Sequence, residues 1–340
     1  MSKRNNEQNQ QKPIRTYVLG SGRIAIRPLA ALLTCGSVQV IGVGTQPDRR
    51  SGRKRRLTPT PVADFASSQG VAVDKPPGAN DPACLEHLAE MRPDIVVVAS
   101  FGQILKKALL DLPPFGCLNI HASLLPRHRG AAPVFATILA GDSVAGVSFM
   151  AMDEGLDTGP VYEKHKLDVT GRETRPDLEE KLAELAAHHL PACLHRVCRE
   201  GLSPRPQDDS RATYAPKIRK QDGEVDWSQP ADRIERLVRA CQPWPRTFFH
   251  VDTGRTSRRI QIVRASVADS PEHDRSPGDV LAADAETGWV IACGRGALRI
   301  EQVIPAGRRE MAAAEFLRGS PVTTGVRVRG AECRRQGEST

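Results

Sequence analysis

The sequence predicts two domains of different class: an α/β domain with a parallel-rich sheet, then a small β-barrel domain. Three observations carry this. Strand-like and helix-like segments alternate from residue 15 to about residue 200, the pattern of parallel strands joined by crossover helices. A long amphipathic segment covers 176–199, with Leu178, Leu182, Leu185, His189, Cys193 and Val197 on roughly one face. After a stretch rich in Pro, Ser and Asp at 201–218, short strand-like pieces follow at close spacing, separated by Gly. A chain of 340 residues has room for two such domains.

The elements follow in order. Residues 15–20 form a short apolar run ending at Gly20. Residues 27–35 have helical spacing, 38–44 read as a strand, 60–69 as a helix, and 71–75 as a short β-branched strand. The segment 81–91 is amphipathic through Leu85, Leu88 and Met91, and 94–100 is an unbroken apolar run of the buried-strand kind. Strands at 117–121 and 146–152 flank a helix at 133–141. Beyond the Pro-rich stretch, Ile234, Leu237, Val238 and Cys241 recur at i, i+3, i+4 and i+7, which predicts one more helix. Five strand-like pieces then run from Thr247 to Pro305.

Composition excludes several classes. At 39% apolar and 26% charged residues the chain has enough to bury real cores. No run of 18 uncharged apolar residues exists, which argues against a spanning helix. The first 13 residues lack an apolar stretch and read as a polar tail, not a secretion signal. The net charge of +8 is uneven: residues 1–56 hold twelve basic and two acidic side chains. A basic patch of that kind points to a polyanionic partner. The eight cysteines are scattered without a C-x-x-C pair, which reads as a reducing cytosol with thiols serving as small apolar residues.

Four motifs stand out. Gly20-Ser21-Gly22-Arg23-Ile24-Ala25 has the form of a dinucleotide fingerprint, but the second strand ends Val43-Gly44-Thr45 without the acid that holds a ribose. A tight strand-to-helix turn is the favoured reading. Residues 49–56, Arg-Arg-Ser-Gly-Arg-Lys-Arg-Arg, have no periodicity and read as an exposed loop that contacts phosphates. Asn119 and His121 are two apart on a strand and so share a side at its carboxyl end, where open α/β sheets place ligands. Residues 152–160 form a Gly-punctuated polar loop with three carboxylates, Asp153, Glu154 and Asp157, one of them within reach of the His. An amide, an imidazole and a carboxylate suit acyl-type transfer to an amine: the amide donates to an oxyanion, and the imidazole stabilises charge or shuttles a proton. The spacing offers no paired metal ligands.

The stretches 45–49, 57–62, 101–105, 119–133, 152–161, 213–218, 222–227 and 243–245 together resemble the folate-dependent formyltransferases, in family order over nearly the whole chain. The basic loop and the C-terminal segment resemble the branch that formylates initiator methionyl-tRNA. The resemblance implies a Rossmann-like catalytic domain over 14–203, a linker over 204–218, and an OB-like tRNA-binding domain over 219–330, with tails at 1–13 and 331–340. It implies that 10-formyltetrahydrofolate is the co-substrate and initiator methionyl-tRNA the acceptor. The setting would be cytoplasmic, with no metal, no membrane and no stable protein partner. By resemblance Asn119 and His121 stabilise the tetrahedral oxyanion, and Asp157 sets the His protonation and assists proton removal. Phe101, Gly102, Gln103, Ser123, Leu124, Leu125 and Pro126 match the folate-contacting stretches. Arg49, Arg50, Arg53, Lys54, Arg55, Arg56 and Lys217 match tRNA contacts. The first turn, Gly20-Ser21-Gly22-Arg23-Ile24, departs from the family's usual Gly-Thr-Pro, an acid and Phe; Phe101 stands where it has Tyr, and His128 where it has Trp. Retained activity with an altered pocket wall is the expectation. Formylation of a small amine, RNA binding without catalysis and NAD(P) oxidoreduction are the competing functions.

Overall fold

The computed structural model describes residues 12–51, 56–253, 256–269, 274–284 and 288–331. The chain divides into two compact units. The first comprises residues 1–133, 144–169 and 177–216, and the second 134–143, 170–176 and 217–340.

The first unit is built on a seven-stranded sheet. Its strands are β1 (Ile14–Gly20), β2 (Val38–Gly44), β5 (Val73–Asp74), β6 (Ile95–Ala99), β7 (Cys117–His121), β8 (Val144–Ala151) and β9 (Val161–Asp168), in the order β5-β2-β1-β6-β7-β8-β9. A small hairpin of β3 (Arg49–Ser51) and β4 (Arg56–Thr58) stands apart from it. The basic segment expected as a patternless loop is therefore, in part, an antiparallel ribbon. The first helices are α1 (Ile26–Thr34), α2 (Pro61–Ser68), α3 (Pro82–Met91) and α4 (Lys107–Leu110). Then come α5 (Pro133–Ala140), most of which belongs to the second unit, and the 25-residue α6 (Arg175–Arg199). Helix α2 starts at Pro61 because Thr60 accepts the Ala63 amide at 3.1 Å and proline suits the first turn. All five residues of β6 are buried, so both faces of the sheet centre are covered. Val96 and Val98 join Tyr17, Leu19 and Phe101 in one cluster.

The sheet is parallel-rich, as expected, with two antiparallel strands at one side. β8 runs antiparallel to β7, and β9 antiparallel to β8. Only the loop 152–160 joins β8 to β9, too short for the crossover that parallel pairing requires. β9 itself carries Glu163, Lys164, His165 and Lys166 at a sheet edge, so no apolar run marks it.

That edge holds an imidazole stack. His165 of β9 and His189 of α6 stack with centroids 3.7 Å apart, and His188 meets His189 edge-on at 4.7 Å. Glu163 Oε2 is 2.9 Å from His165 Nε2, and the Arg196 guanidinium is 2.7 Å from Glu163 Oε1. Burial, then the neighbouring His165 and His188, hold His189 below the usual imidazole range. The unfolded chain therefore binds a proton that the fold refuses. This contribution to stability is full above about pH 6.5 and is lost as pH falls toward the depressed folded value. His189→Phe should narrow the Tm difference between about pH 7.5 and about pH 5.5; a difference equal to the wild type's would remove His189 from the acid response.

The second unit contains α7 (Ala231–Ala240), β10 (Thr247–Thr253), β11 (Thr256–Val267), β12 (Val280–Asp284), β13 (Gly288–Ala292), β14 (Ala297–Pro305), β15 (Met311–Ala312) and α8 (Ala313–Gly319). The antiparallel sheet runs β10-β11-β14-β13-β12, with β15 on β14. Its core is an aromatic chain: Trp227 against Phe249, Phe249 against Trp289, and Trp289 stacked on Phe316. The five expected strands are present; β15 and α8 carry no period long enough to read. The sheet path leaves β10 and β12 as its ends, and residues 325–331 lie between them. Val328 N donates to Gly278 O and Val280 N to Val326 O, while His250 and Arg329 exchange both backbone hydrogen bonds. Arg327 Nε donates to Asp279 Oδ1 at 2.8 Å, which holds that carboxyl below its usual range. This is a half-barrel closed by its own C-terminal segment, consistent with the OB-like expectation.

Candidate active site

Asn119 and His121 sit at the end of β7, opposite Met150 and Ser148 of β8. The loop 152–160 brings in the third group. Of its three carboxylates, Asp153 braces the loop itself, accepting from the Gly155 amide at 3.1 Å and the Thr158 hydroxyl at 2.9 Å. Glu154 is exposed. Asp157 turns inward, its backbone in the left-handed region at φ 55°. Two residues on, Gly159 passes so close to Ala151 that a Cβ there would collide with the Ala151 carbonyl oxygen.

Two nitrogens converge on one oxygen. Asn119 Nδ2 is 3.3 Å from Asp157 Oδ1, and His121 Nδ1 is 3.5 Å from the same atom. Asp157 Oδ2 accepts the Gly130 amide at 2.8 Å. His121 Nε2 lies 2.9 Å from the His128 carbonyl oxygen. A carbonyl only accepts, so Nε2 carries a proton and Nδ1 is the nitrogen that faces Asp157. The His121 side chain is 6% exposed and that of Asp157 is 13%, so the cluster is largely shielded from water.

The turn 122–126 is pinned from below. Ser148 Oγ donates to Ser123 O at 2.7 Å and accepts from Leu125 N at 3.0 Å. Ser123 Oγ donates to Arg127 O, Leu124 lies against Gly146, and Leu125 is buried with Met150 and Val161. Thr213 N donates to Pro126 O at 3.3 Å. Phe101 is a core ring; its carbonyl accepts from Gln46 Nε2 and Ser21 Oγ. Gly102 has φ 79°, and Gln103 Oε1 accepts from Ala79 N. The glycine turn after β1 is closed against this stretch: Gly22 N donates to Ser100 O, and a Cβ at Gly22 would collide with the Ser100 side chain. That close packing fits a tight turn, not a pyrophosphate cradle.

Arg49, Arg50 and Arg56 are exposed on the β3–β4 ribbon, and Arg49 donates to Gln46 Oε1. Arg53, Lys54 and Arg55 lie outside the described residues. Lys217 is exposed in the second unit. A cavity of about 450 Å³ opens at the other end of β7, lined by Cys117, Lys107, Asp111, Phe115, Met152 and Tyr162. Burial pushes the Cys117 thiol up to about 12, so it offers no thiolate there.

Sequence patterns do not reveal three contributors: the His128 carbonyl, the Gly130 amide and the Gln207 side chain. The first two act through backbone atoms, which carry no residue-type signal. At His128 the backbone, at φ 59°, makes the contact with His121, so the departure from the usual Trp leaves that hydrogen bond available.

Residues 15–194 match the family described as Formyl transferase, and residues 217–321 match Formyl transferase, C-terminal domain. The chain is 41% identical to methionyl-tRNA formyltransferase of Magnetococcus marinus, across 92% of this chain and 98% of that protein. It is 42% identical to methionyl-tRNA formyltransferase of Aromatoleum aromaticum, across 94% and 98%. Among solved structures it is similar to WlaRD, a sugar 3N-formyl transferase, with a TM-score of 0.60 at 16% identity, covering 87% of this chain and 99% of that one. It is also similar to HypX from Aquifex aeolicus in complex with tetrahydrofolic acid, with a TM-score of 0.59 at 19% identity, covering 89% and 46%. The last two show likeness of fold. With both family domains matched in order and relatives near 40% identity over almost its whole length, the chain belongs to the formyl transferase family.

Proposed function

We propose that this chain transfers the formyl group of 10-formyltetrahydrofolate to the free amine of the methionyl moiety of initiator methionyl-tRNA. The observation that carries the chemistry is the meeting of Asn119, His121 and Asp157 around one point. The relatives named methionyl-tRNA formyltransferase, at 41% and 42% identity, support the choice of acceptor. So does the basic ribbon, which a small-amine acceptor would not need.

The amine nitrogen attacks the formyl carbon, and the carbonyl electron pair moves onto oxygen. Asn119 Nδ2 and protonated His121 Nδ1 are the donors for that oxyanion. Asp157 takes the proton lost by the attacking nitrogen, directly or through water. Collapse of the intermediate breaks the bond to the folate nitrogen, which leaves with the proton that Asp157 received, giving tetrahydrofolate and N-formylmethionyl-tRNA. Folate contact is assigned to residues 101–103 and 123–126, and phosphate contact to Arg49, Arg50, Arg53, Lys54, Arg55, Arg56 and Lys217. The catalytic domain is taken as 14–203 and the tRNA-binding domain as 219–330. The reading places the protein in the cytoplasm.

The direct test is label transfer from 10-formyltetrahydrofolate to charged initiator tRNA. Label that stays off the tRNA and moves to a small amine would replace this reading. Arg50→Ala combined with Arg56→Ala should raise the KM for charged tRNA and lower the log–log salt slope by about 2. The KM for 10-formyltetrahydrofolate should not change. A salt slope equal to the wild type's would reject phosphate contact by these two arginines.

A further inference from the structure

We propose that residues 205–215, between the two family-matched regions, form a strap that holds Asp157 in place, with Gln207 and Arg129 as positioning residues. The proposal rests on the reading of Asp157 as the proton acceptor.

Gln207 clamps the catalytic loop by its backbone. Its Nε2 donates to Asp157 O at 2.8 Å and to Gly159 O at 2.7 Å. A side-chain amide has two N–H donors, and both are spent on this loop. Its Oε1 accepts from Arg129 Nε at 3.1 Å and from Arg129 Nη2 at 2.9 Å. A guanidinium has only donors, so the amide cannot turn over. Rotation would set N–H against N–H and oxygen against two carbonyls. Arg129 is itself 2% exposed and reaches Asp209 Oδ1 at 2.7 Å.

Both ends of the strap are stitched down. Arg205 and Val161 exchange backbone hydrogen bonds of 2.8 and 2.9 Å. Arg129 N donates to Thr213 O at 2.8 Å, Ala215 N donates to Arg129 O at 2.7 Å, and His128 N donates to Thr213 Oγ1 at 2.8 Å. A Cβ on Gly130 would lie 2.6 Å from Ala215 O, and Gly130 has φ 115°, so only glycine lets the strap lie this close. Three consecutive residues thus serve the site in different ways. His128 O fixes the His121 ring, Arg129 fixes the Gln207 amide, and Gly130 N holds the Asp157 carboxylate. Asp157 sits in the left-handed region, which Asp adopts more readily than most non-glycine residues. The Gln207 clamp on its carbonyl fixes the loop in that conformation.

Gln207→Glu is the sharpest test. It is nearly isosteric and keeps an acceptor for Arg129, but it sets a carboxylate oxygen against two carbonyls. Turnover in formyl transfer to charged tRNA should fall by about 10²-fold, as for an ångström-scale misplacement of a reacting group. KM values for both substrates should stay within about threefold, because the strap acts on Asp157 and not on binding. The His121 Nδ1 resonance in ¹⁵N NMR should move as it does in Asp157→Asn. Ser203→Ala, exposed and outside the strap, should keep wild-type turnover. If Gln207→Glu does not fold, Gln207→Leu carries the same expectation. Near-wild-type turnover in Gln207→Glu, with Asp157→Asn inactive, overturns the strap alone. Wild-type turnover in Asp157→Asn overturns the reading of Asp157 and the strap with it.

Discussion

His121→Ala is expected to lower kcat for formyl transfer by about 10²–10⁴-fold, the range for loss of a group that moves or stabilises a proton in the transition state. The reason is geometric. Nε2 is committed to the His128 carbonyl at 2.9 Å, so the ring is held with Nδ1 toward Asp157. Alanine removes that donor and leaves Asn119 as the single side-chain donor of the trio. Substrate binding does not depend on a developing oxyanion, so KM for both substrates should change little. Single-turnover transfer of labelled formyl measures the chemical step without product release. A loss below about tenfold would take His121 out of proton transfer and charge stabilisation alike.

Trp289→Ala is expected to destabilise the second unit by about 3–5 kcal/mol, the usual cost of deleting a large aromatic from a packed core. Trp289 has no exposed surface. It stacks on Phe316 at 5.4 Å and meets Phe249 edge-on at 5.3 Å, and Phe249 in turn meets Trp227 at 5.5 Å. Removing the middle ring leaves the side chains of α8, β10 and β13 around a void too large to close by side-chain adjustment. Typical total stabilities are about 5–15 kcal/mol, so this single change consumes a large part. Urea unfolding followed by near-ultraviolet circular dichroism reads the transition. A cost under about 1 kcal/mol would show that another cluster supports this sheet.

The legible parts of the fold are those where one physical rule dominates. Strands β2 and β7 match their expected bounds residue for residue because each is an apolar run ended by a residue that changes role, Gly44 and His121. β9 was illegible because an edge strand alternates with charge and resembles a polar loop. The antiparallel turn of β8 and β9 follows from the short loop between them, and the end of that loop is set by β9, which no apolar pattern marks. The five strands of the second domain were readable from their Gly-separated pieces, whereas their closure by residues 325–331 depends on backbone pairing that side-chain pattern does not encode.

The site divides along the same line. Asn119 and His121 were visible as a pair because a strand places i and i+2 together. Asp157 was visible as one of three carboxylates, and the resemblance singled it out; what Asp153 does in the loop needed coordinates. Gln207 had no signal at all, being one polar residue in a stretch that read as a linker. In the structure that stretch is bonded to Val161, Arg129 and the Asp157 loop.

The segment between β10 and β12 has a consequence for how this protein is made. A ribosome delivers residues 325–331 after every strand they join, so the β12 border and the His250 end of the β10 border stay bare while the rest of the domain emerges, although Val225 already covers the β10 border at Phe248. Bare borders recruit foreign strands. Nascent chains stalled before Gly325 should therefore be the species that chaperones hold and that precipitates when they are scarce.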